Sequence, residues 1–169
     1  GEHSIDLWHT RSSGTRRSWS APKKVWEGYT GSINSLIQMR NGRIVLPFAY
    51  HTGRNWRSRG EGFDLFTFMG TSNTTAIYSD DRGASWRQAP AHLRVQVPNT
   101  DTYGAVEPVV LQLEDGRVWM VIRNQLGRLY ESFSADGAHW SEPRPTSVYS
   151  SDSPVGLVRL DDGRIVMLW

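Results

Sequence analysis

Three sets of residues in this chain carry side chains that chemistry requires. The stretch SDDRGASW, residues 79–86, brings Asp80 and Asp81 together with two serines, oxygens of the kind a calcium ion takes as ligands. Glu107 and Arg123 open and close two consecutive apolar runs, EPVVLQL and RVWMVIR. A guanidinium fork there matches a carboxylate ligand, or the two charges simply pair with each other, since a partly buried charge needs a partner in any fold. The third set lies in HTGRNWRSRGEGFDLFTFMG, where His51, Arg54, Trp56, Arg59, Glu61 and Asp64 offer polar and aromatic contacts suited to a sugar or an acidic ligand.

The calcium reading fails when the octapeptide is compared with its own copies. It returns one residue shorter as SADGAHW at 134–140 and in a worn form as SSGTRRSW at 12–19. A calcium loop needs several oxygens and a closing bidentate acid, whereas the later copy keeps one aspartate and the earliest keeps none. A structural turn suits all three. Asp81 and Asp136 accept backbone N–H bonds across it, Gly83 and Gly137 take a conformation other residues resist, and Trp86 and Trp140 pack while each indole N–H finds a partner. With Ser79 and Ser134 these residues are assigned to structure. No metal and no cofactor is expected.

A second unit alternates with the first: SLIQMRNGRIVLPFAY, PVVLQLEDGRVWMVIRN and PVGLVRLDDGRIVMLW. Each is an apolar strand, an Asn-Gly or Asp-Gly turn, an arginine and a second apolar strand, the pattern of a β-hairpin. Adding a third strand such as RLYESFS, the tryptophan turn and a fourth strand near 146–149 gives four antiparallel strands per repeat. That is a β-propeller blade, so the fold class expected is all-β. Eight tryptophans, 16 glycines and 8 prolines in 169 residues agree with short strands and tight turns. The expected division is a half blade over 1–30, blades over 31–104 and 105–150, and a half blade over 151–169, about three blade equivalents. Propellers close with roughly four to eight blades, so the remaining blades are expected from flanking sequence.

Blade topology puts the tryptophan turns on one rim and Glu107 and Arg123 on the other. In the preceding repeat their matching positions are Ile33 and Ala49, so the fold itself does not demand these charges. The long insertion after His51 falls on that same rim, either as a binding loop or as decoration.

Ser-x-Asp-x-Gly-x-x-Trp at 79–86, with its copies, resembles the Asp box, or bacterial neuraminidase repeat, of the sialidase superfamily. The segment from Glu107 to Pro143 is similar to sialidase-family domain sequence throughout. The resemblance implies a six-bladed propeller and a retaining exo-α-sialidase, a glycoside hydrolase that releases terminal sialic acid from glycoconjugates. It gives Glu107 the role of polarising a tyrosine nucleophile and Arg123 that of one of three arginines clamping the substrate carboxylate. A tyrosine suits an anionic sugar, because a carboxylate nucleophile would repel the substrate's own charge. The family's Arg-x-Pro arginine, acid/base aspartate, third arginine and tyrosine nucleophile are not identifiable, and their places fall before Gly1 and after Trp169. His51, Arg54, Trp56, Asp64 and Tyr103 remain as weaker substrate-contact candidates, and Tyr130 reads as packing.

Asp boxes also occur outside sialidases, which leaves a non-catalytic propeller binding glycans or a protein partner, and a hydrolase or lyase acting on another acidic sugar. The ligand expected is thus a sialylated or other acidic glycan. Formal charge is only +2 and the basic residues form no stripe, so nucleic acid is not an expected partner. No apolar run nears the ~20 residues of a membrane span. Cysteine is absent, which rules out disulfides and thiolate metal sites and leaves the compartment open. GEHSIDLWHT lacks the pattern of a secretory leader, so either the protein is not exported or its start lies upstream. Asn73-Thr74-Thr75 fits a glycosylation acceptor, a pattern common by chance.

Overall fold

In the computed structural model, which describes residues 4–14, 18–52, 71–96 and 104–169, every regular element is a β-strand. The first sheet pairs β1 (Leu7–His9) with β2 (Lys23–Trp26). The second runs β3 (Ile37–Gln38), β4 (Ile44–Thr52), β5 (Thr71–Ser79) and β6 (Arg87–Gln88) in sequence order. The third repeats that order with β7 (Val106–Gln112), β8 (Val118–Arg123), β9 (Arg128–Ser134) and β10 (Arg144–Tyr149). The last pairs β11 (Gly156–Arg159) with β12 (Ile165–Leu168). All pairings within the sheets are antiparallel between sequence neighbours, so the chain is an all-β meander of propeller blades.

A four-stranded sheet cannot bury both faces by itself, and here each gap between consecutive sheets holds its own apolar cluster. Leu7, Phe48 and Ile77 fill the first gap, with Trp26 and Trp86 against them. Met39, Val45, Val110, Val118, Met120 and Ile122 are the body of the second. Val109, Val121, Leu129 and Val155 fill the third. β5 is covered on both faces, and its hydroxyls are consumed internally: Thr74 Oγ1 donates to the Ala105 carbonyl at 3.2 Å and Thr75 Oγ1 to that of Ala91 at 2.8 Å. Asn73 is 1% exposed with its Nδ2 turned to Thr52, so the acceptor pattern at 73–75 is closed to a glycan in the folded chain. Outer strand β6 is short because Pro90 supplies no N–H, and pairing with β5 resumes at Leu93.

The three hairpins share one turn. Gly42, Gly116 and Gly163 each have φ near +90° (91°, 94° and 87°), while the residue before each does not enter the left-handed region, so the turn is a type I turn closed by a glycine bulge. The side chains of Asn41, Asp115 and Asp162 each accept from the backbone N–H of the arginine two residues on. Arg117 and Arg164 then pair back onto their own aspartates. Asn41 carries no charge, and Arg43 reaches instead to Asp80 at 2.6 Å and to the carbonyl of Asp136 in the next sheet at 2.7 Å.

Both complete boxes are built around a serine. Ser79 Oγ donates to Asp81 Oδ1 and accepts from Gly83 N–H at 2.8 Å; Ser134 Oγ does the same for Asp136 and Gly137, the latter at 2.7 Å. Arg82, in the left-handed region at φ 57°, absorbs the additional residue of the earlier box. Each tryptophan wedges toward the preceding sheet, Trp86 on the first gap and Trp140 on the second. Trp19 of the worn copy, with no preceding sheet among the described residues, is 62% exposed. One expectation is corrected here: Trp86 Nε1 and Trp140 Nε1 are buried and have no acceptor among the described residues. Half-burial of an indole is worth about 2–3 kcal/mol, comparable with the cost of about 1–3 kcal/mol for the unmet donor, so the ring's packing offsets the unpaired N–H.

The boxes hold their aspartates ionised. Asp81 is kept well below the usual carboxylate range by the Ser85 hydroxyl, the Ser85 N–H and the Ser79 hydroxyl. For Asp136 burial works the other way, but the His139 N–H and imidazole, the Ala138 N–H and the Ser134 hydroxyl overcome it. A depressed folded value means that the stability Asp136 lends is complete above the ordinary value near 3.9 and is lost as pH falls from there toward the folded value. Asp136→Asn is therefore expected to lower stability in urea at neutral pH, with the gap to the wild type narrowing below about pH 4. Trp86→Ala is expected to cost about 3 kcal/mol in the same assay, the low end for large core truncations because the ring is only half-buried.

Candidate active site

The rim opposite the boxes gathers the charges that the hairpin repeat leaves unexplained. Val106 pairs with Arg123 at the open end of β7 and β8, and the register slips between Val106 and Val109. Pro108 has no N–H for the ladder, and Glu107 before it stands at φ 46°. That left-handed conformation costs a glutamate about 1–2 kcal/mol, and a following proline restricts it further. Glu107 Oε2 there meets Arg123 Nη1 at 2.6 Å. Asp152, from the connection between β10 and β11, is also left-handed at φ 72° and takes Arg123 Nε at 2.8 Å. Gln125 donates to the same Asp152 oxygen at 3.4 Å and accepts from Gly104 N–H at 3.1 Å. One guanidinium thus ties together the ends of three successive connections.

All three charged side chains are mostly covered, with exposures of 20% for Glu107, 22% for Arg123 and 33% for Asp152. Burial disfavours the Arg123 charge, but the hydrogen bonds to Asp152 and Glu107 outweigh it and hold the guanidinium above its ordinary value. Those two bonds use two of the five N–H donors of the fork and leave three for a ligand. Glu107 Oε1 makes no hydrogen bond among the described residues, which leaves an acceptor beside the fork. The cluster carries one positive and two negative charges, so an anionic ligand needs further cations nearby.

Glu107 and Arg123 face a cleft of about 480 Å³. Its opposite wall comes from Tyr29, Thr30 and Ser32, ahead of β3, and from Ala49 and His51 on β4. His51 Nδ1 and Ser72 Oγ share a hydrogen bond at 2.9 Å, and the ring lies 5.6 Å from that of Tyr29. Burial lowers the His51 pKa, so it is a neutral imidazole at neutral pH. Ala49 occupies on β4 the place that Arg123 occupies on β8, and its small side chain leaves the room that the cleft uses.

Of the residues singled out in the sequence, Glu107, Arg123 and His51 meet at this cleft. Arg54, Trp56, Asp64 and Tyr103, with Arg59 and Glu61, lie outside the described residues. Ser79, Asp81, Gly83, Trp86, Ser134, Asp136, Gly137 and Trp140 are on the far rim, and Tyr130 packs on the second cluster. Asp152 and Gln125 escaped the sequence reading. Counted from the hairpin glycines, Gln125 matches His51 and Asp152 matches Ala105, so neither residue type recurs, and Ser-Asp-Ser-Pro reads as an ordinary turn. Among the described residues there is no group of histidines and acids that could hold a metal ion.

Four-stranded meander sheets, each with an Asp box between its third and fourth strands, are blades of a β-propeller of the sialidase type. The sequence matches the BNR repeat-like domain over residues 2–169, and the chain belongs to that family. Solved structures with the same fold include a protein of unknown function from Dyadobacter fermentans, at a TM-score of 0.69 and 19% identity over 95% of this chain and 43% of that one. The NanB sialidase of Streptococcus pneumoniae superposes at 0.63 with 18% identity, over 94% of this chain and 22% of its own. For a Trypanosoma rangeli sialidase the values are 0.54, 17%, 97% and 27%. The chain therefore spans less than half the length of each, and at these identities the likeness is one of fold. No curated protein matches the sequence.

Proposed function

We propose that this chain supplies the corner of a sialidase-like glycoside hydrolase that binds the substrate carboxylate and polarises the nucleophile, with a terminal sialic acid as substrate. The observation that carries the reading is Glu107: a glutamate held before a proline in a left-handed conformation, in contact with a half-buried arginine, at the mouth of a cleft. Backbone strain of this kind is kept where the surroundings over-determine it, and clefts are where such strain concentrates. Arg123 offers donors to the sugar carboxylate, and Glu107 offers an oxygen to accept the proton of an attacking hydroxyl. Further cations and the nucleophile itself have to come from other parts of the whole protein, with Arg54, Arg57 and Arg59 standing in the connection that leaves this rim at Thr52 and returns at Thr71. A Trypanosoma rangeli sialidase of the same fold has been solved in complex with sialic acid.

The charge count favours a second reading. With two carboxylates on one guanidinium, Arg123 is already compensated, as it would be in a non-catalytic propeller whose rim binds a glycan through neutral contacts or docks a protein. Two substitutions in the whole protein separate the readings. Glu107→Gln keeps the shape and the bond to Arg123 but removes the base, and is expected to reduce sialoside turnover by about 10²-fold or more with little change in melting temperature; undiminished turnover assigns Glu107 to structure. Arg123→Lys is expected to raise KM for a sialoside, because lysine has no bidentate fork. Loss of folding with affinity intact in the surviving protein makes the cluster an ion pair and nothing more.

A further inference from the structure

We infer that Asp152 is the positioning residue of this site: it sets the plane and the free edge of the Arg123 guanidinium for a carboxylate ligand, an inference that rests on the proposed function for the identity of that ligand. A guanidinium at the end of a strand can turn about its last side-chain torsions, and a single contact at Nη1 does not stop it. Here Glu107 takes Nη1 at 2.6 Å and Asp152 takes Nε at 2.8 Å. Two bonds on different edges of a planar group fix its plane, and the donors left over are concentrated on Nη2 and the second Nη1 hydrogen. Asp152 is itself held: it accepts from Gln125 Nε2, and Gln125 accepts from Gly104 N–H, so the carboxylate is anchored to two other connections of the rim. Its left-handed backbone at φ 72° is a conformation that aspartate, asparagine and glycine tolerate better than other residues.

The same carboxylate opposes the ligand by its charge. Position and charge thus act on an anionic ligand with opposite signs, and substitutions that both fit φ 72° separate them. Asp152→Asn keeps the acceptor and drops the charge; Asp152→Gly drops both. The experiment uses the whole protein and measures sialic acid binding by calorimetry, alongside the ¹⁵N–¹H signal of the Arg123 Nε–H, assigned by its loss in Arg123→Lys. Asp152→Gly is expected to weaken sialic acid binding by about tenfold or more and to speed exchange of the Nε–H with water. Asp152→Asn is expected to tighten binding by roughly threefold or more while the Nε–H stays protected. Equal losses in both variants, or wild-type binding in Asp152→Gly, overturn the inference. Where the wild type itself fails to bind sialic acid, the sialidase reading falls and the Nε–H alone decides positioning: protection lost in Asp152→Gly and kept in Asp152→Asn supports it, and protection unchanged in Asp152→Gly overturns it.

Discussion

A serine hydroxyl that accepts the N–H of a glycine pressed against the neighbouring sheet is the contact on which the packing of the third sheet against the second depends. A Cβ at Gly137 would stand 2.6 Å from a methyl of Val45 and 3.0 Å from the sulfur of Met39. Trp140 of the same box packs in the gap between the second and third sheets, and Trp86 of the box at 79–86 packs one gap earlier, where a Cβ at Gly83 would meet only ordinary contacts, the nearest at 3.6 Å. Arg43 adds a tie from the second sheet to the carbonyl of Asp136. The later box and Arg43 therefore tie the second and third sheets together on this rim.

That division leaves the other rim free to carry groups the fold does not require. Its connections differ in length and sequence from repeat to repeat, and three of them converge on Arg123. Two of the non-glycine residues with positive φ among the described residues are the two acids that hold this arginine. Local backbone preference is set aside at both positions in favour of a particular placement of charge. The third, Arg82, belongs to the box rim and accommodates a one-residue difference between copies.

The repeat made the architecture legible. Three hairpin copies and three boxes specify strand order, the antiparallel meander and the opposition of the two rims, because each copy independently repeats one pattern of apolar spacing and turn glycines. The pair Glu107 and Arg123 could be read for the complementary reason: charged residues at positions where another repeat has Ile33 and Ala49 have no task in packing. Asp152 was invisible to the same logic, since its connection reads as an ordinary turn and its role depends on the distance across a blade gap. Indole pairing was misjudged because a donor's partner depends on the neighbouring sheet, and an apolar gap offers none. β5 makes the same point, since its polar TSNTTAIYS becomes core only because its hydroxyls are matched to carbonyls of Ala91 and Ala105.

The burial of Asn73 sets up a race. Its Nδ2, the atom to which an oligosaccharide would be attached, faces Thr52 inside the second sheet. In a compartment that modifies nascent chains, attachment there and closure of β5 onto β4 exclude each other. A host that glycosylates faster than this sheet closes would trap the chain in a form that cannot reach its native packing, whereas a host lacking that machinery imposes no such limit. The choice of expression system thus becomes a kinetic variable for this protein, decided at one side chain on the strand paired with the cleft-lining Ala49 and His51.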